Sequence, residues 1–285
     1  MSLIKFFILS LFIVTAIAQV TIPILPDGTK SYTVTGGNGA KIFVEEKGDP
    51  TKVTLLFCAP IMSNRLSWEV QFTDSSLNQN FHLVRYDYRG VGRSDKPADL
   101  NAYSTDLHVL DLNAVIDSVK SDKIVLVGAS FGALVSIGSM KTKKVDGFIS
   151  VSGIYNGNIP FFTNATAPSD VYQTAIDTYT LGFSFLTAKP LSDQFSQYLL
   201  GQIGQLSPYY RHSTSPIPDF SNTFKSLNIQ TLFLIGDQDL IVPASYSQSF
   251  VDLAKKGQKT VYTGVGHSPQ WENYQTFNKD ISDFA

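Results

Sequence analysis

Cysteine is nearly absent from this chain: Cys58 stands alone among 285 residues, so no internal disulfide can form and stability must come from a packed core. Histidine is almost as sparse, with four in total. Neither a His-Glu-x-x-His pattern nor a cysteine–histidine cluster offers the ligands of a metal site. Gly-x-x-x-x-Gly-Lys and Gly-x-Gly-x-x-Gly do not follow any strand-like run, so the common phosphate and dinucleotide cradles are missing as well. No metal and no cofactor is implied. The net charge is only −2, which leaves no basic surface for nucleic acid. There is no internal repeat and no low-complexity tract.

The amino terminus has the pattern of a targeting segment. Lys5 gives a positive start, residues 6–17 are almost wholly apolar, and Ala16-Ile17-Ala18 is an Ala-x-Ala cleavage site. The apolar run is too short for a bilayer-spanning helix, so no stable membrane anchor is expected. Residues 1–18 are therefore expected to be a signal peptide, with the mature chain starting near Gln19. That start places the protein outside the cell or in the lumen of the secretory or endolysosomal route. Asn164-Ala165-Thr166 is the only Asn-x-Ser/Thr sequon, and a secretory protein could carry a glycan there. Residues 19–285 are enough for one large α/β domain.

Within that domain, strand-like and helix-like runs alternate. Two runs at 32–35 and 41–46 flank Gly36-Gly37-Asn38-Gly39, a hairpin signal. A strand is expected at 53–58, a helix near 68–77 and a strand at 82–86. Ser104 or Thr105 then caps a helix whose apolar residues, including Leu107, Leu110, Leu112 and Ile116, recur at helical spacing. Buried strands are expected at 124–127, 148–151 and 231–235, and another strand at 259–262. Such alternation predicts an α/β fold: a mostly parallel central sheet of about eight strands, right-handed crossovers and helices on both faces. Cys58 ends one of the strands and is read as a small buried hydrophobe.

One turn carries chemistry. Ile124-Val125-Leu126-Val127 runs directly into Gly128-Ala129-Ser130-Phe131-Gly132, then into a helix-like segment at 133–140. A strand that ends in Gly-x-Ser-x-Gly and enters a helix exposes its serine on a sharp turn. The two glycines allow strand and helix to cross, and the next backbone N–H is free to bind an oxyanion. Ser130 then needs a base and an acid from later in the chain. His82 and His108 precede it, and His212 lies in a proline-rich stretch. His267, between Gly266 and Ser268 in a loop near the carboxyl terminus, is the remaining candidate. For the acid, the apolar run 231–235 ends in Gly236-Asp237-Gln238-Asp239, and acids just past a strand's carboxyl end are placed to serve a site. Asp239 can reach back to the histidine, whereas Asp237 suits a turn cap.

These motifs together resemble the α/β-hydrolase superfamily in its single-domain esterase-like branch. Residues 86–97, Tyr-Asp-Tyr-Arg-Gly-Val-Gly-Arg-Ser-Asp-Lys-Pro, resemble the family's Asp-x-Arg-Gly-x-Gly-x-Ser segment, which is read as a structural turn beneath the site. Gly266-His267-Ser268-Pro269 with Glu272 resembles its Gly-His-x-Pro-x-x-Glu ending. The resemblance implies a Ser130–Asp239–His267 triad and an oxyanion hole formed by the N–H of Phe131 and a second N–H from the loop after the strand at 53–58. Where the family usually has His-Gly, this chain has Cys58-Ala59, and the second donor position falls on Pro60 or Ile61. Ile61 is the preferred donor. Proline has no N–H, so a register that used Pro60 would remove one donor.

The same resemblance implies a helical lid insertion at about 155–225. That stretch is rich in aromatics, among them Phe161, Phe162, Phe195, Tyr198 and Tyr210, and contains no glutamate. Some of these rings would line an apolar pocket. The implied activity is that of a serine hydrolase cleaving a carboxylic ester, or related acyl bond, of a small apolar substrate. Other users of the triad stay open: a thioesterase, a carbon–carbon hydrolase or an aminopeptidase. So does a non-catalytic ligand-binding protein on this fold. The oligomeric state is not legible.

Overall fold

The computed structural model describes residues 28–159, 182, 184–213 and 216–285. The leader at 1–18, the sequon at Asn164, Phe161 and Phe162 lie outside the described residues.

Eight strands form one sheet in the order β1-β2-β4-β3-β5-β6-β7-β8. They are β1 (Lys30–Thr35), β2 (Lys41–Gly48), β3 (Thr54–Cys58), β4 (His82–Tyr86), β5 (Ile124–Ala129), β6 (Gly147–Val151), β7 (Gln230–Gly236) and β8 (Lys256–Tyr262). β1 pairs antiparallel with β2, and β2 antiparallel with β4; every other pairing is parallel. The glycine turn between β1 and β2 closes the expected hairpin through a 3₁₀ turn at Gly37–Gly39. Every residue of β3, β4, β5 and β6 is buried, as expected for parallel strands covered on both faces. The edge strand β8 is mostly exposed.

The longer helices named here are α1 (Thr105–Ser118), α2 (Phe131–Ser139), α3 (Asp193–Ile203), α4 (Ala244–Leu253) and α5 (Tyr274–Phe284). Strand register shows which sheet face each covers. Phe57, Val127, Ile149 and Leu232 pair across neighbouring strands and point to one side. On that side Phe57 meets Trp68 at 5.0 Å, and Trp68 meets Phe277 of α5 at 6.3 Å. Phe148 and Phe233 have the opposite parity and meet Phe224, which also packs on Phe250 of α4. α1 and α2 lie on this second side, joined to α4 through the short helix Ser221–Ser226.

Two local expectations need correction. The helix expected near 68–77 is three short pieces, a 3₁₀ turn at Arg65–Trp68 and helices at Glu69–Thr73 and Ser75–Asn80. Asp74 causes the break: its backbone is extended, and its carboxylate accepts the Leu77 N–H as a new N-cap. The buried stripe of α1, capped by Ser104, does not follow the apolar residues alone. It runs through Thr105, His108, Asp111, Leu112, Val115 and Ile116, while Leu110 is exposed. Asp111 can be buried because Arg89 grips it with Nε and Nη2, both at 2.6 Å, and the Gly37 N–H donates to it at 3.0 Å.

Arg89 of that pair lies in the turn at residues 86–97. Asp87 there accepts the backbone N–H groups of Arg65 and Arg93 and the Arg65 guanidinium at 2.8 Å. The Ser94 hydroxyl donates to the Asp87 carbonyl and accepts the Phe43 N–H. These contacts hold the turn together and tie it to β2, to α1 and to the 3₁₀ turn at Arg65–Trp68, as a structural segment would be.

Candidate active site

All four carboxyl ends from β5 to β8 meet at one edge of the sheet, and the candidate residues follow three of them. Ser130 comes directly after β5 and before α2. Its φ of 50° and ψ of −116° lie outside the ordinary regions for a residue with a side chain. The backbone around it leaves no slack. The Ser130 N–H donates to the Val151 carbonyl at 2.9 Å, and the Ser130 carbonyl accepts the N–H groups of Ala133 and Ile154. A Cβ on Gly128 would lie 2.6 Å from the Gly132 carbonyl oxygen. One on Gly132 would lie 2.3 Å from that of Cys58. Only glycine permits either approach, which is the physical content of the Gly-x-Ser-x-Gly spacing.

Asp239 and His267 stand in the loops after β7 and β8, and both are buried. His267 Nδ1 lies 2.8 Å from Asp239 Oδ2. The other carboxylate oxygen of Asp239 accepts the N–H groups of Ile241 at 2.9 Å and Val242 at 2.8 Å, which fixes its plane. In the form with an ionised carboxylate and a neutral ring, the carboxylate can only accept, so this contact pairs it with the Nδ1–H tautomer and leaves the lone pair on Nε2. Asp237 points elsewhere: it accepts the Gly264 N–H at 2.7 Å and closes the turn, as its position suggested.

The loop after β3 runs against the first turn of α2, where the Cys58 and Ala59 carbonyls face Gly132. Tyr88 holds the Ala59 carbonyl from behind at 3.0 Å. The Ser63 N–H closes a turn onto the Pro60 carbonyl, with Met62 at φ 57°. Ile61 is therefore in the middle of a tight turn beside α2. Phe131 opens that helix, and N–H groups in a first helical turn have no partner within the helix. Cys58 is fully buried, and burial pushes its thiol up to about 12, so it holds its proton at neutral pH and is no nucleophile.

The remaining histidines take other parts. His82 bonds to Thr54 at 2.9 Å. His212 is the C-cap of the short helix Pro208–Arg211. His108 is fully buried among Tyr88, Phe131 and Tyr210, with ring centroids 5.1–5.5 Å apart. Burial, with a smaller contribution from Arg89, lowers it to about 3. Among the described residues, no group of three or more His, Cys, Asp or Glu could hold a metal ion, and no helix is long and apolar enough to cross a membrane.

Parts of the 155–225 stretch dock around this edge. Tyr198 of α3 donates to the Leu66 carbonyl at 2.7 Å, and Phe195 packs edge-on against Trp271 at 5.1 Å. The Ser207 N–H donates to the Gly90 carbonyl at 2.7 Å, and Tyr210 stacks on Tyr103 at 5.0 Å. Glu272, noted in the sequence only as part of the Gly-His-x-Pro-x-x-Glu ending, has a task that sequence reasoning missed: its carboxylate joins the histidine loop to Ala188. Its signal was visible only as a glutamate five positions after the histidine.

A sequence model of the Alpha/beta hydrolase family matches residues 55–280. Among curated proteins, the chain is 23% identical over 227 residues to 2-hydroxy-6-oxononadienedioate/2-hydroxy-6-oxononatrienedioate hydrolase 1 of Pseudomonas putida. That match covers 73% of this chain and 78% of the relative. It is 24% identical over 278 residues to a non-heme haloperoxidase of Rhodococcus erythropolis, covering 88% and 98%. Among solved structures, a protein assigned as an aryl esterase from Burkholderia cenocepacia superposes with a TM-score of 0.82 at 28% identity, covering 90% of this chain and 97% of that one. The match to the family model takes in Ser130, Asp239 and His267, and the elbow, sheet order and loop positions agree with it: the chain belongs to the alpha/beta hydrolase family.

Proposed function

We propose that the protein is a serine hydrolase that cleaves a carboxylic ester of a small, largely apolar substrate. The observation that carries this reading is the buried 2.8 Å contact between His267 Nδ1 and Asp239 Oδ2, at the sheet edge where Ser130 sits on its strained turn. In this mechanism Ser130 Oγ attacks the acyl carbonyl carbon while His267 Nε2 takes its proton. Asp239 holds the imidazole in the useful tautomer and stabilises its cationic form. The backbone N–H groups of Phe131 and Ile61 bind the oxyanion. The alcohol leaves with the proton from His267, forming an acyl-Ser130 ester. Water, deprotonated by His267, then releases the acid and restores the serine.

The sparse charge of the 155–225 stretch supports a neutral substrate, and its aromatics supply the apolar wall. In the same proposal the leader directs the chain to the secretory route and Asn164 carries a glycan. The test is hydrolysis of p-nitrophenyl esters from acetate to palmitate by the protein and by Ser130→Ala. Turnover is expected to fall by at least about 10³-fold in the variant. Full turnover in Ser130→Ala would refute the assignment. Ester inertness of the folded wild type would favour the carbon–carbon hydrolase reading suggested by the Pseudomonas relative.

A further inference from the structure

We propose that Glu272 is a positioning residue that locks the His267 loop to the strap at residues 187–188. Alignment of the base and the shape of the pocket wall then depend on a single carboxylate. The proposal rests on the roles given above to Ser130, Asp239 and His267.

Glu272 ends the short helix Pro269–Glu272 that follows the histidine. Its two oxygens serve two different segments. Oε1 accepts the Gly266 N–H at 2.8 Å, one residue before His267, and Oε2 accepts the Ala188 N–H at 2.7 Å. The strap at residues 187–188 is also in direct contact with the loop. A Cβ on Gly266 would lie 2.6 Å from the Ala188 nitrogen and 2.8 Å from the Thr187 carbonyl carbon. On its other side the loop is pressed against β7, because a Cβ on Gly236 would lie 2.0 Å from the Gly266 oxygen. The histidine loop is thus held between the end of β7, just before Asp239, and the strap, with Glu272 closing the junction. Trp271 reinforces it from the same helix, donating to the Ser67 carbonyl at 2.8 Å and packing on Phe195 of α3.

Glutamine discriminates this role from simple packing. An amide has the same shape but only one acceptor oxygen, so one of the two N–H groups must face an NH₂ donor. In Glu272→Gln, kcat on p-nitrophenyl acetate should fall about tenfold, since small misplacements of a catalytic group are costly. The palmitate-to-acetate ratio of kcat/KM should also move, and the downfield proton resonance of the Asp239–His267 hydrogen bond should broaden or shift. A folded Glu272→Gln with kcat, ester ratio and resonance all matching wild type would overturn the proposal. Should that variant not fold, Ala188→Pro removes the strap-side N–H, while its ring also fixes φ beside Gly266. It is expected to move the ester ratio about tenfold, and an unchanged ratio would overturn the proposal equally. Failure of the underlying reading shows separately, as turnover that survives Ser130→Ala.

Discussion

Replacing His108 by leucine should make the protein markedly less sensitive to acid. His108 is fully buried beneath the elbow, and burial takes it from its ordinary value of 6.5 down to about 3. Between those two values the unfolded chain binds a proton that the folded chain refuses. Stability therefore falls as pH drops through the window from about 6.5 to about 3. Going from pH 7 to pH 5 withdraws about 2 kcal/mol through this one residue, a large share of an ordinary domain's stability. Neither ring nitrogen has a hydrogen-bond partner among the described residues, so leucine strands no polar group. At pH 7 the variant should match wild type within about 1.5 kcal/mol, the usual cost of a volume-conserving core substitution. Urea unfolding of both proteins at pH 7 and pH 5 measures the difference. His82, lowered by burial, and Asp87 and Asp111, raised by burial, titrate in both proteins and largely cancel in the comparison. An equal loss of stability in the two proteins on acidification would show that His108 does not remain neutral in the fold.

The elbow's strain gives a second expectation. At φ 50° a Cβ is unfavourable at Ser130, so Ser130→Gly should be more stable than Ser130→Ala by about 1 kcal/mol. Thermal melting of the two inactive variants decides it, and a less stable glycine variant would contradict the strain. Expressed through a eukaryotic secretory host, the chain should begin at Gln19 by intact-mass analysis. It should also lose mass on glycosidase treatment unless Asn164 is replaced by glutamine; an uncleaved leader or an unmodified Asn164 would remove that part of the reading.

Local chemistry in the sequence determined much of the architecture. Strands buried on both faces have to be continuous apolar runs, so β3, β5, β6 and β7 were legible within a residue or two. Gly128 and Gly132 announced a close crossing because no side chain fits there. The order serine, acid, histidine then narrowed four histidines to His267. Between Asp237 and Asp239, however, the sequence could only rank. The loops after β7 and β8 bring Asp239 to His267 and Asp237 to the Gly264 N–H.

Other features belong to tertiary structure alone. A polar residue on a helix is buried or exposed according to what the rest of the fold supplies. Asp111 lies inside because Arg89, 22 residues away, meets it, and Leu110 beside it lies outside. The Asp74 cap that breaks one expected helix is local, but its second carboxylate oxygen is held from α5 by Asn278 at 3.1 Å. Glu272 was visible as a residue, but its task was not. Its two partners, Gly266 and Ala188, stand 6 and 84 positions away. Only the folded sheet edge, where the strap crosses the histidine loop, brings both N–H groups to one carboxylate.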